Sequence, residues 1–193
     1  MTKLLKILGK IILTLFEFII LISIVLAFSI RTSTFQTYLA KQGSSYLSKK
    51  IGSDVQINKV SIVFFDRVYL EKLYVEDQHS DTLAYLDELF VNVADFNLSS
   101  LEFDVDELGM SKGVVKLKKY TQEDDLNFQF IIDAFKTDDS IKETPDFIVN
   151  VDEVNLSDMR FSFEDQNKKI KDFGVDFSHL DLKAINLAAT GVK

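Results

Sequence analysis

Val149-Asn150-Val151-Asp152-Glu153-Val154-Asn155-Leu156 alternates apolar and polar residues, slips once, and alternates again. Its apolar residues stand at i, i+2, i+5 and i+7, where an amphipathic helix would place them at i, i+3, i+4 and i+7. The same eight-residue form recurs in Val55, Ile57, Val60 and Ile62, and in Val68, Leu70, Leu73 and Val75. It recurs again in Phe103, Val105, Leu108 and Met110, and in Leu180, Leu182, Ile185 and Leu187. Either a tight hairpin at the middle pair or a β-bulge would produce the slip. The middle pairs are Asn58-Lys59, Glu71-Lys72, Asp106-Glu107, Asp152-Glu153 and Lys183-Ala184. None contains the glycine that a two-residue hairpin turn favours. A bulge inserts one residue, keeps the same face buried and bends the strand. The pattern therefore predicts a curved, bulged sheet. Leu89, Val91 and Val93, with Met159, Phe161 and Phe163, add strict strand alternation. The copies are irregularly spaced, which excludes a regular short-repeat solenoid.

Upstream of the first copy, Ser33-Thr34-Phe35-Gln36 has the form of a capping box. Phe35, Tyr38, Leu39, Gln42 and Tyr46 follow at helical spacing, and Gly52 supplies a stop. A short amphipathic helix over about 34–50 is expected, its stripe facing either a membrane surface or the end of the sheet. Asp77-Gln78-His79-Ser80-Asp81 reads as a polar turn between strands. Residues 124–135 carry Leu126, Phe128, Ile131, Ile132 and Phe135, a short helix or covering segment. Residues 136–145 are polar, hold the only proline and read as a flexible loop within one domain.

Further upstream, residues 11–30 hold fifteen Ile, Leu, Phe or Val residues plus Ala27, interrupted by Thr14, Glu17, Ser23 and Ser29. As a helix this run is about 30 Å long, enough to cross a bilayer. Lys3, Lys6 and Lys10 precede it and Arg31 follows, a bias that places residues 1–10 in the cytoplasm and residues 31–193 on the far side. Glu17 costs about 2.5–3.5 kcal/mol on the insertion scale, with Asp as its proxy, and fifteen apolar residues contribute roughly −4.5 to −9 kcal/mol, so insertion wins. A cleaved signal peptide is the rival reading. Ala27-Phe28-Ser29 resembles a cleavage site, but the run exceeds the usual apolar region of such peptides. Both readings export the remainder.

Setting aside Lys3, Lys6, Lys10 and Arg31 from the 22 basic residues, and Glu17 from the 30 acidic ones, leaves residues 32–193 with net charge −11. Such a surface repels nucleic acid and anionic lipid headgroups. There is no cysteine, so disulfides, thiolate metal sites and a cysteine nucleophile are excluded. The two histidines, His79 and His179, stand outside any HExxH motif, and no phosphate loop or nucleophile elbow is present. Asp77, His79 and Asp81 lack the Gly and distant Glu of a calcium loop and read as a solvated turn. No catalytic, cofactor or metal residue is expected.

The order of segments now supports a comparison. A Lys-rich start and one membrane helix precede a Gln36-Thr37-Tyr38-Leu39-Ala40 helix ending at Tyr46-Leu47-Ser48-Lys49-Lys50-Ile51-Gly52. Then come Val55-Gln56-Ile57-Asn58-Lys59-Val60, Phe64-Phe65-Asp66, Leu73-Tyr74-Val75-Glu76-Asp77 and Asp81-Thr82-Leu83. Asn127-Phe128-Gln129-Phe130-Ile131-Ile132-Asp133 and Asp176-Phe177-Ser178-His179-Leu180 follow. This order resembles the N-terminal region of the AsmA-like superfamily, especially its TamB-type translocation and assembly module proteins. The resemblance implies a single-pass inner-membrane protein whose periplasmic, mostly antiparallel strands curl into an open, taco-like groove. It also implies a role in outer-membrane biogenesis, through phospholipid transport or outer-membrane protein assembly. Val55, Ile57, Val60, Ile62, Val68, Leu70, Val149, Val151, Val154, Leu156, Leu180 and Leu182 would then be the groove candidates for phospholipid acyl chains. Members of that family are much longer. Roughly ten strands at about 4.8 Å each reach about 50 Å, too short to bridge two membranes. The expectation is therefore the N-terminal portion of a larger protein, whose missing C-terminal region would meet an outer-membrane assembly partner. The alternative is a membrane-tethered scaffold or protein-binding module with a closed β-core.

Overall fold

The computed structural model describes residues 2–29, 31–63, 66–97, 102–136 and 148–192. Phe64-Phe65 and the expected flexible loop from residue 137 onward lie outside the described residues.

Helix α1 runs unbroken over Thr2–Ser29. Its most apolar stretch is Ile7–Leu26, with mean hydropathy 2.4 and no side chain buried against the rest of the chain. This single N-terminal helix is long and apolar enough to span a membrane. The stretch begins about one turn earlier than expected, because Ile7 and Leu8 continue the apolar run past Lys10. Glu17 accordingly falls next to its midpoint rather than toward one end. Ser23 and Ser29 donate their hydroxyls to the carbonyls of Ile19 and Val25 at 2.9 and 2.8 Å, so neither exposes an unmet donor on the apolar surface.

Arg31 lies in the turn that leads to α2, Ser33–Ile51. The cap is Thr32, one residue before the expected Ser33, and its Oγ1 accepts from the Phe35 amide at 3.4 Å. Gly52 ends the helix with φ +68°, a left-handed conformation that glycine adopts without a Cβ clash.

One mixed seven-stranded sheet follows: β1 Val55–Gln56, β2 Lys59–Val63, β3 Arg67–Glu76, β4 Thr82–Asn97, β5 Glu102–Lys119, β6 Ile148–Asp165 and β7 His179–Val192. β1 and β2 both pair with β3, and the order then runs β4, β5, β6, β7. Every pairing is antiparallel except β5 with β6. Helix α3, Gln129–Phe135, lies in the crossover between these two parallel strands and packs on α2. The described strands number seven rather than ten because β4 to β7 are long, at 14 to 18 residues each.

The slip in the sequence pattern is a physical break in every copy, and in none of them a hairpin. Lys72, Lys112, Asp158 and Ala184 all have positive φ, between 48° and 54°. Pairing skips Lys72 opposite Asp87, Asp87 opposite Lys112, and Lys112 opposite Asp158. The breaks therefore form one line across β3 to β7. Because each strand carries the extra residue at the same level, β3 to β6 stay in register through it. A second line passes through the shift beside Val93, the skipped pair Asp106 and Asp152, and Gly191 at φ +69°. β1 and β2 are likewise one strand interrupted at Ile57-Asn58, since both hold a single register with β3.

Two ends of this architecture differ. At the β1 edge, Ser48 Oγ accepts from the Val55 amide at 2.9 Å and donates to its carbonyl at 3.3 Å. Ser44 Oγ accepts from the Ile57 amide at 2.8 Å. Helix α2 thus seals that edge with its serines. Ala40 and Ile51 are buried there, whereas Tyr38 and Tyr46 of the expected stripe point outward. The β7 edge has no neighbouring strand among the described residues.

Candidate functional site

Residues paired directly across a sheet lie on one face, so the registers assemble the apolar positions into rows. Ile62, Val68, Val91, Leu108, Val154 and Ala189 form one row. Val60, Leu70, Leu89, Met110, Leu156 and Leu187 form the next. Beyond the break line come Leu73, Leu86, Gly113, Met159 and Ile185, then Val55, Val75, Ala84, Val115, Phe161 and Leu182. Leu117, Phe163 and Leu180 continue the same face. Apart from Gly113, every member is apolar. The opposite face carries Glu71, Glu88, Ser111 and Ser157 in one row and Tyr69, Phe90, Gly109 and Asn155 in another.

The groove candidates Val55, Val60, Ile62, Val68, Leu70, Val154, Leu156, Leu180 and Leu182 all lie in these rows. Val151 and Val149 extend the face toward the far end of β6, beside Val105 and Phe103 in register. Ile57 alone stands apart. It sits in the break between β1 and β2, where its Cδ1 approaches Gly43 of α2.

Among the described residues no second layer covers this face: the strands pack chiefly on their sheet neighbours, and α2 packs on β1, β2 and α3. Burial falls along it. Leu86 and Met159 at its centre are 5% and 4% exposed, whereas Leu182 and Leu187 on β7 are 48% and 51% exposed. A folded domain ordinarily buries such a face against another element. A depression of about 650 Å³ lies on the opposite side and is lined by Gln56, Lys72, Tyr74, Glu76 and Tyr85 among others. It is open and mixed in polarity, and no nucleophile–base pair stands in it.

The turn singled out in the sequence is a structural knot. Asp77 is 2% exposed. It accepts hydrogen bonds from Asn127 Nδ2 at 2.9 Å, the Tyr120 hydroxyl at 2.7 Å, and the amides of His79 and Asp81 at 2.9 and 3.0 Å. Burial works against its charge, but these donors outweigh it and hold the carboxyl below the usual carboxylate range. Burial, and then the bond to Asp77, push the Tyr120 phenol up. Lys118 pairs with Asp81, and His79 bridges to Glu123 Oε1 at 2.9 Å. With its acceptors filled by protein donors, Asp77 is a fastener joining the β3–β4 turn to the end of β5. Among the described residues no group of three or more His, Asp or Glu side chains could hold a metal ion.

Comparison with protein-family models, with curated proteins and with solved structures finds no match for this chain.

Proposed function

We propose that this chain is an inner-membrane-anchored, periplasmic component of outer-membrane biogenesis whose apolar sheet face receives phospholipid acyl chains. The observation that carries this reading is the face itself: contiguous apolar rows crossing the sheet, with no covering layer among the described residues. Each methylene laid against such a face is worth about 0.8 kcal/mol. The two lines of bulges favour a sheet that bends around a chain-like ligand. The TamB-type resemblance supplies the lipid and the two-membrane setting, and assistance to outer-membrane protein assembly belongs to the same reading.

Photo-crosslinking amino acids at Ile62, Val151 and Leu156 test it. They should capture phospholipid in cells, while outward positions Asp152 and Lys112 should not. Equal capture at both sets, or none at the inner set, defeats the lipid reading. A reporter fused after Gly52 should be active only if it functions outside the cytoplasm, as Lys3, Lys6 and Lys10 against Arg31 require.

A second reading, a membrane-tethered module that binds protein, is favoured by one feature. Among the described residues no strand pairs with the outer edge of β7 along its 14 residues, an edge suited to strand addition by a partner. Crosslinks from β7 to a protein, with no lipid adducts on the inner face, would select it.

A further inference from the structure

The connection between β6 and β7 exposes more apolar surface than any other part of the described sheet domain. Ile170, Phe173, Val175 and Phe177 are 72%, 96%, 64% and 70% exposed within eight residues. This is a built loop. Asp176 accepts from the amides of Lys171 and Ser178, both at 2.9 Å, and meets His179 Nδ1 at 2.9 Å. Gly174 turns the tip at φ +83°. Asn167 Nδ2 ties the base to the Tyr120 and Glu123 carbonyls at 2.9 and 3.2 Å. The carboxylate in the middle of the loop is spent on holding its shape, and the aromatic side chains are held out into solvent.

Its charge is opposite to its surroundings. Residues 168–177 contain Lys168, Lys169 and Lys171 against Asp172 and Asp176, in a chain of net charge −8. Lys168 pairs with Asp165, whereas Lys169 and Lys171 have no ion pair among the described residues. Aromatic rings beside unpaired lysines are the composition of a bilayer interface anchor, the rings at headgroup level and the ammonium groups on anionic lipid.

The loop also has a defined place. Serines 44 and 48 set α2 antiparallel to β1 and β2. The C-terminal end of α2 meets the Asp77 turn through Ser53 and Gln78, and the loop meets that turn through Tyr120. It therefore sits at the end of the sheet beside the C-terminus of α2. The 19 residues of α2, roughly 28 Å of helix, separate that end from the junction with α1. The outward face of α2 between these points carries Tyr38 and Tyr46, 57% and 63% exposed.

We propose that residues 168–177 are a second membrane contact: Phe173 and its apolar neighbours enter the interface of the same bilayer that holds α1, with Lys169 and Lys171 on anionic headgroups. Tethering by α1 keeps that bilayer at high effective concentration, so modest intrinsic affinity suffices. Attachment at both ends lays the strands along the membrane surface instead of leaving them upright. This inference rests on the anchor reading of α1 and is independent of what the apolar face binds.

The chain has no tryptophan, so Phe173→Trp gives a single reporter at a side chain that packs on nothing. The full chain is placed in phosphatidylcholine–phosphatidylglycerol vesicles with brominated phosphatidylcholine in the host bilayer. Emission should shift to the blue and be quenched. Lys169→Gln and Lys171→Gln should each lower the docked-to-undocked ratio roughly five-fold, and Phe177→Trp should report the same change. Water-like, unquenched emission overturns the proposal. So does a blue shift without bromolipid quenching, which would place the loop against protein. Quenching only by bromolipid in separately added vesicles would assign the loop to a second membrane and overturn the two-point attachment. Flotation with the vesicles reads α1 alone. Failure to float defeats the anchor reading and this proposal with it, whereas flotation without quenching defeats only the proposal.

Discussion

Gly113→Ala should damage the sheet at its most tightly packed point. Gly113 lies between Leu86 and Met159 in the row beside the first break line. A Cβ there would meet the Tyr85 carbonyl oxygen at 2.5 Å, Leu86 Cδ2 at 2.6 Å and Met159 Cε at 3.1 Å, where real Cβ atoms essentially never approach within 3.0 Å. The side chains have little room to retreat, since Leu86 and Met159 are 5% and 4% exposed. The carbonyl cannot move without parting β4 from β5. Overpacking by one carbon costs about 1–3 kcal/mol, and an immovable backbone neighbour puts this site at the upper end. Alanine recovers about 0.4–1 kcal/mol by restricting the unfolded chain. The net loss is about 2–3 kcal/mol, a fall in Tm of roughly 4–12 °C for a domain of this size. Gly109→Ala is the internal control, because its Cβ would meet only the Phe90 side chain, at 3.3 Å, and a ring can tilt. Thermal unfolding of the full chain in detergent, followed by circular dichroism, measures both. If Gly113→Ala melts with the wild type, or no lower than Gly109→Ala, the face assignment built on the strand registers is wrong.

Ser48→Ala should cost about 1–3 kcal/mol by leaving the buried Val55 amide without its acceptor, and chemical denaturation measures it. Ala184→Gly should stabilise by about 1 kcal/mol, since φ +52° strains alanine but not glycine, against the loss glycine ordinarily causes within a strand. Asp77 titrates below the ~3.9 of an unfolded aspartate, so its stabilisation is fully present above about pH 4 and is lost as the pH falls through its depressed folded value. Asp77→Asn should therefore lower stability at neutral pH by about 2–3 kcal/mol and shorten the acid limb of a pH–stability curve. An unchanged acid limb would mean that the other aspartates carry it.

The broken alternation of Val68-Leu70-Leu73-Val75 and its four counterparts was legible because a face that must be apolar on both sides of an extra residue leaves a fixed mark in the sequence. Both N-terminal helices were legible for similar reasons of periodicity and capping. The parallel pairing of β5 with β6 was not, because strand composition does not encode direction and the connection carries no distinctive signal. The destination of the Tyr38 and Tyr46 stripe was left open by periodicity alone, and it is decided by backbone groups: the helix face that meets the sheet satisfies them, so serines occupy it and the tyrosines turn outward. Ile57 fits the apolar pattern yet falls within the interruption of its strand. Asp77 read correctly as part of a turn, but its burial depends on Tyr120 and Asn127, more than forty residues away, a contact no local pattern announces. The apolar loop around Phe173 was not legible, because Phe173, Val175 and Phe177 alternate with polar or small residues as a strand would.

The line of breaks through Lys72, Lys112, Asp158 and Ala184 has a consequence for how this shape can change. A crease in folded paper belongs to the sheet and not to any one fibre, and here too the break is held in common. Deleting Lys112 would not remove a fifth of it. It would turn half of β5 over, sending Leu108 and Met110 outward or Val115 and Leu117 outward, while the neighbours on both sides keep their phase. A shared break of this kind admits no intermediate. A lineage can keep the crease or lose it across all strands together, so single-residue insertions and deletions should be tolerated in the turns and excluded from the strands.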